Sequence, residues 1–362
     1  MRSFERRSID EKAGGGVSMQ ISDVFQKKIY EEINLARGIA VIFVLIGHSF
    51  PRVSSGVRPG VAEQFIVNYC YYFHMALFMF LAGFVASRKI YSQSVDFGGE
   101  ITKSAKRLMV PYLLYSLLTF LLKQVFSIYA NNQFGISELW TILLGQNPNG
   151  GLWYLWTLFV LSFLVLLLSR AVRRDSVFIA FGILTQIMFF IVSTGFLDNM
   201  CRMAIFYIAG VVIARHYDSV LVRYKEFIKV HRASACLPLI AFAIIGVVDL
   251  MFLGRGVQRR IYPFTAVLGI YAVMDISLRI QGKNSVVKRF FGELGEYSYD
   301  LYLLSYYVQI PIRVLGYSVL NLPYAIVVAA MLSMGLLIPY VVSRFVIRRH
   351  RILSGMLLGK WQ

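Results

Sequence analysis

One apolar stretch of the chain carries an arginine and a histidine whose types and spacing could do chemistry. Arg37 and His48 are eleven residues apart in the run 33–51. If that run is an α-helix, about 100° per residue returns both side chains to nearly the same face, about 16 Å apart along the axis. A guanidinium binds anions such as phosphate, and an imidazole can take a proton from an alcohol near neutral pH. The pair therefore predicts an anion site and a proton-transfer site on one helix.

The composition of the chain indicates that this helix crosses a membrane. Of 362 residues, 57% are hydrophobic and 15% are charged. The mean hydropathy of +0.63 is too apolar for an ordinary soluble domain. A span needs about 20 mostly apolar residues, and ten such runs can be recognised. The sequence predicts an all-α integral membrane protein with about ten transmembrane helices, near 33–51, 64–86, 108–130, 151–169, 176–194, 200–215, 234–254, 261–280, 297–320 and 323–347.

The distribution of basic residues predicts the orientation of these helices. Twenty-eight of the 37 Lys and Arg residues fall in alternate segments that include both termini, and six fall in the segments between them. Because basic flanks stay on the cytoplasmic side, we expect both termini to be cytoplasmic. The net charge of +18 is then a consequence of topology, and we expect no nucleic-acid partner.

The remaining organisation is simple. Residues 1–28 are polar, include a Gly-Gly-Gly run and lack an apolar signal-peptide core, so we predict a disordered cytoplasmic tail. Residues 29–350 are predicted to form one membrane domain, and 351–362 a cytoplasmic C-terminal tail. The three cysteines lack the spacing of a metal site or a disulfide framework, so neither is expected.

A second histidine, His74, lies in the next apolar run. That run is expected to cross the membrane from the outer surface inward, so His74 should lie near mid-membrane. There it could share a pocket with His48. Ionisable groups inside spans are costly and usually face a cavity or a partner. Two simpler interpretations remain open. Arg37 could extend its side chain to the interface, and the histidines could serve solely to hydrogen-bond neighbouring helices.

Other polar positions are ambiguous. The loop 131–150 is rich in Asn and Gln and has no Lys or Arg. It could hydrogen-bond sugar hydroxyls, although a merely solvated loop would look the same. Asp275 and Asp300 lie toward the inner ends of predicted spans, where we expect them to pair with nearby basic residues.

Five stretches resemble the membrane acyltransferase type 3 family, in the order in which that family carries them. Arg37 and His48 have the spacing of its Arg-x10-His opening, and Phe73-His74-Met75-Ala-Leu-Phe78 is similar to a second-span motif of its fucose 4-O-acetylase-like, exopolysaccharide-modifying branch. The other three are Arg107-Leu-Met-Val-Pro111-Tyr112, Gly151-Leu-Trp153-Tyr154-Leu-Trp156 and Gly295-Glu-Tyr-Ser298-Tyr299-Asp-Leu-Tyr302-Leu. Two positions depart from the pattern: Asn34 stands where the family often has an acid, and Ser305 where it often has a histidine.

The resemblance implies an O-acyltransferase of a bacterial inner membrane. Its co-substrate would be acyl-coenzyme A, acetyl more often than succinyl, with no permanently bound cofactor and no metal. The acceptor would be a hydroxyl of a lipid-linked or polymeric saccharide, such as exopolysaccharide or O-antigen, and membrane lipids would surround the protein. Two other functions stay open: a transporter or flippase for a lipid-linked saccharide, and a subunit of a polysaccharide-export complex.

The resemblance also suggests roles for particular residues. Arg37 and Arg107 would bind the phosphates of coenzyme A, because an arginine fork matches phosphate geometry. His48 would act as general base on the sugar hydroxyl, and His74 would orient it or donate to the developing oxyanion. We favour direct transfer, although an acyl-histidine intermediate stays open. Four aromatic residues would bind the acceptor, unless they serve as an interfacial belt or as core packing: Trp153, Tyr154, Tyr299 and Tyr302.

Overall fold

The computed structural model describes residues 31–50, 60–92, 94–127, 134–191, 195–230, 236–252, 255–282 and 284–361. The predicted disordered tail, 1–28, lies outside the described residues. Within these ranges the regular elements are all helical. They are α1 (Glu31–Ser49), α2 (Val61–Tyr71), α3 (His74–Tyr91), α4 (Phe97–Val125), a 3-10 helix (Ile136–Leu144), α5 (Trp153–Ala171), α6 (Asp175–Ile191), α7 (Gly195–Arg215), α8 (Tyr217–Val230), α9 (Leu237–Phe252), α10 (Arg255–Gln281), α11 (Val286–Val314), a π-helical turn (Leu315–Val319), α12 (Tyr324–Phe345), a second 3-10 helix (Ile347–Arg349) and α13 (Arg351–Leu358).

Seven helical stretches in the described ranges are long and apolar enough to cross a membrane. They contain α1, α2 with α3, α4, α5, α7, α10 and α12, while α6 and α9 are apolar but shorter. The prediction of an all-α membrane protein is therefore confirmed. The count of about ten spans and the cytoplasmic location of both termini stay predictions, since α6 and α9 are short and α11 does not meet the same criteria.

The second predicted span is interrupted in the structure. Between α2 and α3, Phe73 takes φ −143° and ψ −26°, which is not helical. In a continuous helix the Cys70 carbonyl would accept from the backbone N–H of His74. Here it accepts instead from the His74 ring and, at 3.5 Å, from the backbone N–H of Phe73. The side chain of His74 thus replaces the backbone N–H that the break removes from this carbonyl.

Glycines allow two pairs of helices to cross at very short range. On α1 and α11, a Cβ at Gly38 would overlap the Phe291 carbonyl, and a Cβ at Gly295 would overlap that of Asn34. The Asn34 amide donates to the Gly292 carbonyl at 2.6 Å across the same crossing. A similar crossing joins α3 and α7 through Gly83 and Gly210. Small residues permit such backbone approach inside membranes, and α11 is thereby held against the helix that carries Arg37 and His48.

This crossing can be tested with two glycines one turn apart. Gly295→Ala should destabilise the protein by about 1–3 kcal/mol, the usual cost of overpacking, because its methyl group would meet the Asn34 carbonyl. Gly292→Ala is the matched control, since a Cβ there meets nothing within 4 Å. Thermal unfolding in detergent measures both. Equal unfolding temperatures for the two variants would show that the close crossing is absent.

The two buried aspartates pair with basic residues, as the sequence suggested. Asp275 on α10 accepts from Arg279 of the same helix at 2.8 Å. Asp300 on α11 is fully buried and lies 2.6 Å from Arg348 and 3.1 Å from Lys360. Because Lys360 follows α13, this ion pair draws the C-terminal residues back onto the bundle.

The C-terminal residues pack against α4. Gly359 has φ 64°, in the left-handed region, and a Cβ there would overlap the backbone of Arg107. Burial lowers the pKa of the Lys360 ammonium, and the Asp300 carboxylate opposes that shift. The sequence described 351–362 only as a tail, whereas the structure folds its residues up to Trp361 against the domain.

Candidate active site

The site is arranged along α1, with Arg37 toward one end and His48 toward the other. Helix α11 lies beside α1 over most of its length. Near the Arg37 end, Asn34 contacts Gly292. Near the His48 end, the Gln309 amide donates to the Leu45 carbonyl at 3.2 Å and to the Ser49 hydroxyl at 2.9 Å. Because Gln309 is buried, these bonds fix the backbone next to His48.

Tyr71, the last residue of α2, lies between the two histidines. Its hydroxyl is 3.4 Å from Nδ1 of His48, and either group can donate. Its ring meets the His74 ring edge-on, with centroids 5.1 Å apart. Gly47 makes room for it, since a Cβ at Gly47 would lie 3.2 Å from the Tyr71 ring. The predicted pairing of His48 and His74 therefore runs through a tyrosine that the sequence did not single out.

The hydrogen bond of His74 fixes which of its nitrogens carries the proton. Its Nδ1 lies against the Cys70 carbonyl, which can only accept, so Nδ1–H is the donor. In the neutral ring, Nε2 then holds a lone pair and can only accept. His74 is 1% exposed, whereas His48 is half-buried. Of the two, His48 is the histidine that a substrate can more readily approach.

The predicted aromatic residues converge near the middle of the bundle. Tyr154 and Tyr302 have ring centroids 5.7 Å apart. Tyr302 lies seven residues after Gly295 and seven before Gln309, or about 10 Å from each end of the α1 contact. Tyr154 is close enough to Arg37 and Arg107 to interact with both charges. Four of the predicted site residues therefore lie close together: Arg37, Arg107, Tyr154 and Tyr302.

Arg107 and Tyr299 join the same neighbourhood from α4 and α11. The Tyr299 hydroxyl donates to the Arg107 carbonyl at 2.8 Å, and the guanidinium carbon lies 5.8 Å from the Tyr299 ring centre. Arg107 is exposed. Its charge also acts on Lys360, which lies near Asp300. Cations from three parts of the chain therefore gather on the side where Arg37 lies.

The segment between the first 3-10 helix and α5 folds into the bundle. Asn149 is 2% exposed, and its side-chain oxygen accepts from the Gly151 backbone N–H at 2.9 Å. The Tyr302 hydroxyl donates to the Gly151 carbonyl at 2.5 Å. Irregular backbone at membrane depth is tolerated where protein surrounds it. This part of the loop 131–150 is therefore buried, and α5 begins near mid-bundle, which brings Tyr154 within range of Arg37; residues 131–133 lie outside the described residues.

The hydrogen bond to Gly151 has a matched control one turn away. Tyr302→Phe should lower activity several-fold, because it releases the segment that positions Tyr154, and should lower stability by about 1 kcal/mol. Tyr306→Phe should change neither, since the Tyr306 hydroxyl makes no hydrogen bond to a described residue. Initial rates and thermal unfolding check this. Full activity in Tyr302→Phe would mean that the segment needs no such anchor.

Trp153 faces a different partner from its neighbour Tyr154. Its ring lies 5.4 Å from the guanidinium carbon of Arg202 on α7, and the charge of Arg202 also acts on His74. Arg202 lies in the predicted span 200–215, and no role was predicted for it. Its signal was available, because a charged residue inside an apolar run indicates a functional position. Tyr71 and Asn149 gave no comparable signal, since both depend on local breaks in the helices.

Comparison with known proteins decides the family. The family model described as an acyltransferase domain, of the acyltransferase type 3 family, matches residues 30–344. The chain belongs to this family. It is a multi-pass membrane acyltransferase, and the resemblance of its five motifs is confirmed at the family level. Neither the curated proteins nor the solved structures gave a match. Lys360 lies beyond the matched residues.

Proposed function

We propose that the protein transfers an acetyl group from acetyl-coenzyme A to a hydroxyl of a cell-surface carbohydrate in a bacterial inner membrane. The observation that carries this proposal is the polarity of α1. Its Arg37 end lies with Arg107 near Tyr154, and its His48 end contacts Tyr71, whose ring packs against His74. An anionic donor and a hydroxyl acceptor can therefore meet along one helix.

The donor would lie with its phosphates at Arg37 and Arg107. Both guanidinium groups act on Tyr154, which places them around a common centre. The pantetheine arm would extend along α1, whose Arg37-to-His48 distance of about 16 Å is comparable to the length of that arm. The thioester would then lie near His48.

The chemical step needs one base that later acts as an acid. His48 takes the proton as the acceptor oxygen attacks the thioester carbonyl carbon. The tetrahedral intermediate breaks its C–S bond, and the same imidazolium returns the proton to the departing sulfur. The products are an ester and coenzyme A thiol. Direct transfer of this kind needs no acyl-histidine.

The two suggested roles of His74 are not equally supported. As a neutral ring whose Nδ1–H is committed to Cys70, it has no proton to offer an oxyanion. An orienting role fits better, because the Tyr71 ring packs against His74 while its hydroxyl reaches His48. We therefore assign His74 to positioning His48 through Tyr71.

The acceptor would bind among the aromatic residues at mid-bundle. Tyr154 and Tyr302 pack edge to face, and Trp153 adjoins Tyr154 with ring centroids 6.3 Å apart. Tyr299 lies on the Arg107 side of this group. Such rings offer apolar faces together with hydroxyl and indole hydrogen-bonding groups, which suit a sugar.

Transfer by purified protein tests this proposal. The protein in lipid nanodiscs would receive labelled acetyl- or succinyl-coenzyme A and the unacylated polysaccharide of a deletion strain. We expect alkali-labile label on the polymer with the acetyl donor. Label from the succinyl donor alone would change the donor assignment, and no transfer from either donor would overturn the proposal.

A transporter is the second candidate, and two irregular segments favour it. The break between α2 and α3 and the inserted segment before α5 are interruptions of the kind that line transport sites. The reconstituted protein separates the two functions. For this test the protein is reconstituted in proteoliposomes. A transporter would move a lipid-linked saccharide across the bilayer without changing the mass of the saccharide. An acyltransferase would increase that mass by one acyl group.

A further inference from the structure

Arg202 is a cation inside the membrane domain without an acidic partner among the described residues. Its Nη2 donates to the Asn199 side-chain oxygen at 2.7 Å. Its Nε is buried and has no hydrogen-bond partner in the described part of the chain. The nearest acid along α7, Asp198, is 2.5 Å from Arg259 and is paired with it. Arg202 therefore forms no ion pair with a described side chain.

Two aromatic rings flank this guanidinium. Its carbon lies 5.4 Å from the centre of the Trp153 ring and 5.2 Å from that of Tyr262, which is buried. Cation–π contacts of this kind offset part of the cost of an ionised group in a span. They leave the net charge in place, so the position still attracts an anion.

Arg202 lies on the side of the site where the acceptor would bind. Its neighbour Trp153 is one of the proposed acceptor-binding residues. The charge of Arg202 acts on His74 and Tyr262, whereas those of Arg37 and Arg107 act on Tyr154. The donor phosphates would lie with Arg37 and Arg107, toward the other end of α1. The anion that Arg202 attracts is therefore a different one from the donor phosphates.

We propose that Arg202 binds a carboxylate of the acceptor, which makes the acceptor an acidic saccharide such as one that contains a uronic acid. A carboxylate matches the single charge and the planar fork of a guanidinium. Trp153 and Tyr262 would pack against the sugar ring on either side. This inference rests on the proposed function, because it names the chemical class of the acceptor.

A competing anion is the oxyanion that forms on the thioester during transfer. That charge exists only at and near the transition state, and N–H dipoles commonly suffice to stabilise it. A full guanidinium charge is matched better by a carboxylate that is ionised in the ground state. The two assignments differ in what happens when the acceptor loses its carboxylate.

A double-mutant cycle makes that comparison. Unacylated polysaccharide from a deletion strain would be used as isolated or after carbodiimide activation and borohydride reduction of its carboxyl groups. Wild-type protein, Arg202→Met and Arg202→Lys would be assayed on both polymers with acetyl-coenzyme A. Arg260→Met is the matched control, because Arg260 is an exposed arginine on α10.

Carboxyl reduction should lower kcat/KM of the wild-type protein at least 10-fold. Arg202→Met should show a similar loss on the native polymer and less than a 2-fold change on the reduced one. Arg202→Lys should keep part of the preference for the native polymer, and Arg260→Met should behave as wild type. If Arg202→Met does not fold, Arg202→Lys is used instead. Its ratio of kcat/KM on the native polymer to kcat/KM on the reduced polymer should be smaller than that of the wild-type protein.

Three results would overturn the inference while leaving the proposed function intact. One is an equal loss by the Arg202 variants on both polymers, which would place Arg202 at the oxyanion. The second is wild-type activity that does not change on carboxyl reduction. The third is an acylated polysaccharide whose composition contains no acid. Absence of transfer by wild-type protein to either polymer would instead refute the proposed function.

Discussion

His48→Ala is expected to lower kcat for acyl transfer by about 10²–10⁴-fold, the usual contribution of a general base. The expected reason is the loss of the imidazole that accepts the hydroxyl proton near Tyr71. The KM for acyl-coenzyme A should change less than threefold, because the donor phosphates would bind toward the Arg37 end. Steady-state kinetics of the purified protein with varied donor give both constants.

Three further variants make this result specific. His350→Ala removes an exposed histidine beside α13 and should leave kcat unchanged. His74→Ala should also lower kcat, but Tyr71→Phe should reproduce part of that loss if His74 acts through Tyr71. Activity of His48→Ala close to that of wild type would remove His48 from the mechanism. A rise in the KM for the donor as large as the fall in kcat would instead assign His48 to donor binding.

The second large effect is expected at the donor end. Arg37→Met and Arg107→Met should each raise the KM for acetyl-coenzyme A by about 10–100-fold, because a charge-assisted bond to phosphate contributes about 1.5–3 kcal/mol. Acetyl-pantetheine lacks the nucleotide, so its KM should be nearly the same in both variants and in wild type. Comparing the two donors isolates the contacts to the nucleotide phosphates.

The control for these variants is Arg173→Met, which removes an exposed arginine from the link between α5 and α6. It tests whether any loss of positive charge weakens donor binding through the general field. We expect no change for either donor. A loss for acetyl-pantetheine as large as that for acetyl-coenzyme A would show that Arg37 or Arg107 supports the fold and does not contact phosphate.

The helical fold could be predicted because its signal is local. Runs of apolar residues as long as the membrane is thick identify spans whatever their neighbours are. Breaks in helices depend on tertiary partners, and this explains why the interruption at Phe73 was missed. Nothing in Tyr-Tyr-Phe-His-Met marks it, since the Cys70 carbonyl accepts from the His74 ring in place of the His74 backbone N–H only in the folded chain.

The sequence predicted which residues form the site better than it predicted the contacts between them. Arg37, Arg107, Tyr154, Tyr299 and Tyr302 do come together. The spacing of Arg37 and His48 followed from helix periodicity alone. The insertion of the segment around Asn149 could not be predicted, because a polar loop has the same sequence pattern whether water or protein hydrogen-bonds its amides. For the same reason Trp153 was expected at an interface or on a sugar, and its contact with Arg202 could not be foreseen.

The ester content of the cell-surface polysaccharide shows whether the protein acylates that polymer in the cell. Proton NMR of polymer from a deletion strain would give the number of O-acyl groups per repeat unit, beside the total polymer exported. We expect deletion to remove these esters while export continues, and we expect the wild-type gene, but not a His48→Ala copy, to restore them. Polymer that stays fully acylated in the deletion strain, or an export defect that leaves the residual polymer fully acylated, would contradict it.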